Sequence, residues 1–203
     1  EVKDGATVLT KDTDYTLSYA NNTNAGTATL TVTFKGNYSG TLAPTFTINK
    51  ATITVTPLAG QSKIFGEANP VLAYTAVGAA AGETPTFTGA LSRDAGENVG
   101  TFAITNDGAP ALALTDGIAP NAFLATNYNL VFTPDVTFAI TPKNASTFTV
   151  ADILPQVYNG AAYAPEPVVS DGVTPLTKGT DYTLSYANNI NAGEATVTIT
   201  GIG

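Results

Sequence analysis

Apolar and small polar residues alternate along much of the chain. Residues 27–34 read T-A-T-L-T-V-T-F, and residues 15–20 read Y-T-L-S-Y-A. A period of two residues is typical of half-buried antiparallel strands with one face towards solvent. Threonine suits the exposed face because its β-branched side chain favours extended backbone. No segment combines the length and the period of an amphipathic helix, so the pattern predicts an all-β protein.

Loops rich in asparagine and glycine separate the predicted strands. Residues 20–26, A-N-N-T-N-A-G, suit a tight connection between two strands, and Asn159-Gly160 predicts a second hairpin. Residues 51–142 open and close with alternating segments and hold many short strands punctuated by proline. We expect small β-sandwich modules in series.

An internal repeat links the two ends of the sequence. Residues 1–36 and 168–203 are identical at 25 of 36 positions. The strongest match is T-D-Y-T-L-S-Y-A-N-N, which occupies residues 13–22 and again residues 180–189. Such self-similarity is the signature of a tandem array.

The repeat predicts a division of the chain into three parts. We interpret residues 1–50 as the C-terminal part of one repeat, residues 51–142 as a complete middle module, and residues 143–203 as the N-terminal part of the next repeat. The predicted partners are therefore neighbouring repeats of the same polypeptide, or copies whose terminal segments complement each other head to tail.

Two stretches resemble repeats of bacterial surface proteins. Residues 176–203, together with N-Y-S-G-T at 37–41, resemble the Ig-like repeats of large bacterial adhesins. The middle part resembles the MBG repeat family through three motifs: Q-S-K-I-F-G-E-A-N-P at 61–70, A-L-S-R-D-A-G-E-N-V-G-T-F-A-I-T at 90–105 and N-Y-N-L-V-F at 127–132.

These resemblances imply a fold and a role. They imply tandem Ig-like β-sandwich modules in an elongated array, with a β-grasp-like module as the alternative for the middle part. Phe65 and Phe102 stand where the MBG family more often has tyrosine, and each keeps the aromatic ring. The resemblance implies a stalk or spacer of an extracellular or cell-surface fibre, and it carries over no catalytic residue.

Composition excludes several kinds of site. The chain has no histidine and no cysteine, which excludes a Ser-His-Asp triad, imidazole or thiolate metal ligands, and disulfides. Eight basic against sixteen acidic residues give a net charge of −8, which argues against nucleic acid as a partner. No apolar run reaches the ~20 residues that span a bilayer. We predict that the protein is not an enzyme and has no cofactor.

Calcium is the one metal that the sequence leaves open. Asp12-Thr13-Asp14 has the spacing of the start of a calcium loop, but the second copy reads Gly179-Thr180-Asp181 and lacks one ligand. Turn chemistry at the entry to a strand is the favoured interpretation. Calcium at a junction between modules stays an alternative, and no metal-ligating or cofactor-binding residue is assigned.

Several other groups have a structural and a functional interpretation. Arg93 and Glu97 could form a contact site, but an ion pair or loop hydrogen bonds that fix a turn are favoured. The lysines at the module ends, Lys50 and Lys143, suit linker geometry or an intramolecular isopeptide bond. Four tyrosines could stack on a sugar, although core packing is favoured: Tyr15, Tyr19, Tyr182 and Tyr186.

The alternative function is loop-mediated binding of a glycan or of a host or cell-surface protein. Its candidate surface is the long loop at residues 106–126, which exposes apolar residues unless it packs.

Overall fold

The computed structural model describes residues 1–202, and Gly203, the last residue of the second repeat copy, lies outside the described residues. The described chain contains short strands, two 3-10 helices and no α-helix, which confirms the all-β prediction. The strands up to residue 88 are β1 (Lys3–Asp4), β2 (Thr7–Val8), β3 (Tyr15–Ala20), β4 (Gly26–Phe34), β5 (Thr41–Leu42), β6 (Thr45–Ile48), β7 (Ala51–Pro57), β8 (Ser62–Ile64), β9 (Tyr74–Val77) and β10 (Thr86–Thr88).

The remaining strands are β11 (Ser92–Arg93), β12 (Gly100–Thr105), β13 (Ala113–Thr115), β14 (Tyr128–Phe132), β15 (Thr137–Thr141), β16 (Phe148–Val150), β17 (Val169–Asp171), β18 (Thr174–Pro175), β19 (Tyr182–Ala187) and β20 (Thr196–Gly201). The 3-10 helices are Ala125–Asn127 and Ala145–Thr147. None of the helices in residues 1–202 is long and apolar enough to cross a membrane.

The chain divides into two compact units. Unit 1 comprises Glu1–Gln61, Pro70–Gly96 and Phe102–Phe138, and unit 2 comprises Ser62–Asn69, Glu97–Thr101 and Ala139–Gly203. This division groups the first repeat copy with most of the middle module. The three ranges 1–50, 51–142 and 143–203 remain a prediction from the repeat.

The first repeat copy in unit 1 is built around β4. This strand pairs in antiparallel fashion with β3 on one side and with β5 and β6 on the other. Ala28 and Val32 on β4 are buried, at 0% and 4% exposure, as the alternation predicts. Val32 packs with Leu9 and Tyr15 to form the core of this copy.

The rest of unit 1 has a second core and one parallel pair of strands. Ile53, Phe123 and Tyr128 form this core, and Phe87 and Leu114 pack against it. β7 pairs with β14 in parallel and with β9 in antiparallel fashion. The sequence did not predict this parallel pair, because β7 and β14 are far apart in sequence and no tight hairpin fixes their relative direction.

Unit 2 holds a second parallel pair, β8 with β15, and the second repeat copy. β16, β17 and β18 form one small antiparallel sheet, and β19 and β20 form a hairpin. The hairpin predicted at Asn159-Gly160 was wrong, since the structure places no strand between Val150 and Val169. Pro155, Pro165 and Pro167 interrupt this segment, and proline cannot donate to a strand ladder.

The middle module contains one 3-10 helix, Ala125–Asn127, and no α-helix. The described residues instead form small sheets that bury apolar side chains between them, which agrees with the β-sandwich prediction.

Candidate functional site

The connection between the first repeat copy and the middle module is very short. β6 ends at Ile48 and β7 begins at Ala51, so two residues join them. Ile48 pairs with Gly26, and Ala51 pairs with Tyr128. The residues that precede Gly26 and Tyr128 therefore lie on either side of the same linker.

Asn127 bridges this junction with its side-chain amide. Its Oδ1 accepts a hydrogen bond from the backbone N–H of Ala25 at 2.8 Å, and its Nδ2 donates to Oδ1 of Asn24 at 3.1 Å. Asn24 and Ala25 belong to the loop between β3 and β4 of the repeat copy. We name this arrangement the Asn127 bridge.

Local structure fixes the position of the Asn127 bridge. Asn127 is the last residue of a 3-10 helix, and its own N–H donates to the carbonyl of Leu124 at 3.0 Å. The next residue, Tyr128, is buried and stacks on Phe123 with the ring centroids 4.8 Å apart. The hydroxyl of Tyr128 donates to Glu83 Oε2 at 2.6 Å and accepts from the N–H of Ala80 at 3.0 Å. The amide of Asn127 therefore extends from an anchored segment.

A charged pair lies where the second repeat copy begins. Lys143 follows β15 and donates to both carboxylate oxygens of Asp171 on β17, at 2.8 and 2.6 Å. The two side chains are 37% and 28% exposed, so the pair contributes less than a buried one would. The side chain of Asn144 accepts from the N–H of Ser146 at 2.9 Å and caps the following 3-10 helix. The predicted role of Lys143 in linker geometry fits these contacts, and Lys50 at the first junction is exposed.

Arg93 fixes the turn that follows β11. Its guanidinium donates to the carbonyls of Asp94 and Gly96 at 2.9 and 2.6 Å. It also lies 5.0 Å from the centroid of the Phe102 ring and 5.5 Å from that of Phe138. Gly96 has φ 142, and a Cβ on it would overlap the Phe102 ring. Loop hydrogen bonds were among the roles predicted for Arg93.

Sequence reasoning missed Lys63 in unit 2. This residue is 7% exposed and pairs with the carboxylate of Glu97, which is itself well exposed. The available signal was the alternation in β8, where Ser62 and Ile64 are exposed and the middle residue points inwards. A buried lysine requires a partner for its charge.

The four tyrosines do not share one role. Tyr15 and Tyr182 are buried at 8% and 6% exposure, which agrees with the prediction of core packing. Tyr186 is half-buried and its hydroxyl donates to the carbonyl of Pro165 at 2.8 Å. Tyr19 is 54% exposed, so the prediction was wrong for this residue. Burial falls along β3 away from its first residue, and Tyr19 lies beyond the core of its copy.

The aspartates considered for calcium shape turns. Oδ2 of Asp14 accepts from the N–H of Thr10 at 2.8 Å, and Oδ2 of Asp181 accepts from that of Thr177 at 2.6 Å. Asp12 adopts φ 67, and its N–H donates to the carbonyl of Tyr15. In residues 1–202 no group of three or more acidic side chains is arranged to hold a metal ion.

The long loop at residues 106–126 packs at several points. It contains β13, and its residues Leu112 and Phe123 are buried at 3% and 0% exposure. Asn106 holds the backbone of Leu112 with two hydrogen bonds, at 2.7 and 3.0 Å. Ile118 is 87% exposed and is the most exposed large apolar side chain of the loop.

Comparison with known families identifies the middle module. Residues 53–138 match the MBG domain (YGX type), so this part of the chain is an MBG-type module, as its motifs predicted. No curated protein and no solved structure matches the chain.

Proposed function

We propose that this chain is a structural stalk or spacer segment of a repetitive bacterial cell-surface or secreted protein, such as an adhesin or a fibre. In this role it has no enzymatic activity and needs no resident cofactor. Its partners are neighbouring repeats. The proposal is supported by the MBG-type module at residues 53–138, the repeat that flanks it and the all-β fold.

The Asn127 bridge is the observation that carries the proposal. A flexible linker lets two modules take many orientations, and a spacer made of such modules transmits neither length nor direction. Here two residues connect β6 to β7, and the amide of Asn127 binds the adjacent repeat copy at two points. A short linker with cross-junction hydrogen bonds restricts these orientations.

Small-angle X-ray scattering tests the proposal on the whole chain. A compact globule of this length has a radius of gyration of about 17 Å. We expect a clearly larger value that is independent of concentration and of calcium. A value near 17 Å would refute the spacer role. An increase on adding calcium, reversed by a chelator, would instead support the alternative of calcium at module junctions.

Loop-mediated binding of a glycan or of a host protein is the alternative function, and one observation favours it. Ile118 is highly exposed in the loop at residues 106–126, and binding residues often lie on loops. A glycan array and a panel of host surface proteins test it with the wild-type chain and the Ile118→Ser variant. Binding that the substitution abolishes would favour this function over a passive spacer.

A further inference from the structure

The first strand of the middle module runs in the same direction as one of its last strands. The chain enters β7 at Ala51 and leaves β14 at Phe132, and these two strands pair in parallel. Ala51 lies opposite Tyr128, the first residue of β14, and Val55 lies opposite Phe132. The point where the chain enters β7 and the point where it leaves β14 are therefore at opposite ends of the pair.

This geometry decides how the pair responds to tension along the chain. Tension pulls β7 backwards from Ala51 and β14 forwards from Phe132, so the two strands are drawn past each other along their own axes. Every hydrogen bond between them is then loaded at the same time. In a hairpin the chain enters and leaves at the same end of the pair, and tension would open the bonds one after another.

β7 is held on both sides and along its buried face. It lies between β14 and β9, opposite five residues of the first and four residues of the second. The N–H of Thr133 adds a hydrogen bond to the carbonyl of Val55 at 2.9 Å. Ile53 and Val55 are 0% and 1% exposed, so sliding of β7 would also move these side chains out of their packed positions. Release of this strand therefore requires hydrogen bonds and packing to fail together.

A parallel pair in unit 2 repeats the arrangement. β8 pairs with β15, with Ser62 opposite Ala139 and Ile64 opposite Thr141. The offset between partners is 77 residues, the same as between β7 and β14. The N–H of Phe65 extends the pair with a hydrogen bond to the carbonyl of Thr141 at 2.9 Å. β15 is the last strand of the module, so tension that reaches the module from residues 143–203 pulls β15 along its axis against β8.

We propose that the middle module bears load, and that the parallel pairs of β7 with β14 and of β8 with β15 clamp it against tension along the chain. The inference rests on the proposed spacer function, because tension passes from module to module only in a serial array. The two-residue connection after Ile48 transmits such tension to β7 with little slack. The clamp keeps the module folded, and the spacer at its folded length, while the chain is pulled.

Single-molecule force spectroscopy tests the clamp in two pulling directions. The chain has no cysteine, so a pair of introduced cysteines fixes where the handles attach. Lys50→Cys with Pro134→Cys pulls β7 and β14 from opposite ends. Lys50→Cys with Asn129→Cys is the matched control, because it pulls both strands from the same end and opens the pair residue by residue. All three positions are exposed and belong to unit 1.

The rupture force at one loading rate is the quantity to compare. Forced unfolding is governed by the barrier to unfolding, so we expect the force to be at least about twofold higher when the strands are pulled from opposite ends. A release of roughly 260 Å of chain identifies the opening of the module in both variants. A ratio smaller than this, or a higher force in the control, would overturn the inference.

A second matched pair and the scattering experiment separate the possible failures. Thr52→Cys, also at an exposed position, takes the place of Lys50→Cys if the first variants do not fold. An elongated particle in scattering, with equal rupture forces in the two directions, would overturn the clamp and leave the spacer function supported. A compact particle would refute the spacer function whatever the rupture forces are.

Discussion

Replacing Asn127 with alanine removes the side-chain contacts that join the middle module to the first repeat copy. The substitution deletes the acceptor for the Ala25 N–H and the donor for Asn24. It leaves the backbone of the 3-10 helix unchanged, because that helix is closed by the Asn127 N–H and the Leu124 carbonyl. The expected effect is therefore confined to the junction.

The expected loss of free energy at the junction follows from two hydrogen bonds at a half-buried site. A typical hydrogen bond contributes about 0.5–1.5 kcal/mol net. Partial exposure of Asn127 lets water replace some of the lost partners, so we expect the junction to be destabilised by about 1–2 kcal/mol. A change of this size corresponds to a factor of about 5–30 in an opening equilibrium.

Amide exchange at Ala25 is the direct assay. We expect its exchange to accelerate by about 5- to 30-fold in Asn127→Ala, with unchanged protection in the β3–β4 ladder. Asn129→Ala is the matched control, because Asn129 lies two residues further along the chain, on β14, and is exposed. If Asn127→Ala leaves exchange at Ala25 unchanged, or if Asn129→Ala accelerates it equally, the Asn127 bridge does not hold the junction.

Four further substitutions, one of them a control, test the second core of unit 1 and one carboxylate. Phe123→Ala should lower the free energy of unfolding by about 3–5 kcal/mol, whereas the control Leu124→Ala, at a residue that is 37% exposed, should lower it by less than about 1 kcal/mol. Urea denaturation followed by tyrosine fluorescence measures both losses. Similar losses in the two variants would contradict the assignment of Phe123 to the core. Tyr128→Phe removes a hydroxyl that makes two hydrogen bonds, and it should lower the free energy of unfolding by about 1–3 kcal/mol in the same assay. A loss below about 0.5 kcal/mol would contradict the contribution of these hydrogen bonds. The hydroxyl of Thr105 donates a hydrogen bond to Asp107 and is the largest cause of the lowered pKa of this carboxyl group. The ionised carboxylate therefore stabilises the folded protein at pH values above the pKa of the unfolded state. This stabilisation is lost as the pH falls through the pKa of the folded state. Titration by nuclear magnetic resonance should show this pKa rising in Thr105→Val, and an unchanged pKa would refute the cause.

Some contacts followed from residue types alone and others did not. Arg93 was recognisable from its charge beside a glycine-rich turn, and loop hydrogen bonds were among its predicted roles. The Asn127 bridge was not foreseen, because asparagine is common in loops and its partners lie 102 and 103 residues away. Tyr19 shows the opposite error: its alternation with polar residues suggested burial, but β3 extends beyond the core that covers Tyr15.

The sequence by itself determined the strand-forming segments, the repeat and the MBG-type module. Alternation of threonine with apolar residues is a local property, and it predicted the buried positions Ala28 and Val32 without knowledge of neighbouring strands. The two copies of the hairpin also share one register, in keeping with their closely similar sequences.

Only the tertiary structure decided which distant strands meet. The parallel pairing of β7 with β14 and of β8 with β15 joins segments more than 70 residues apart, and no local pattern encodes the direction of such a pair. The same holds for the burial of Lys63. In each case the outcome depends on what lies beside the strand, and a period of two residues fixes only which side chains share a face.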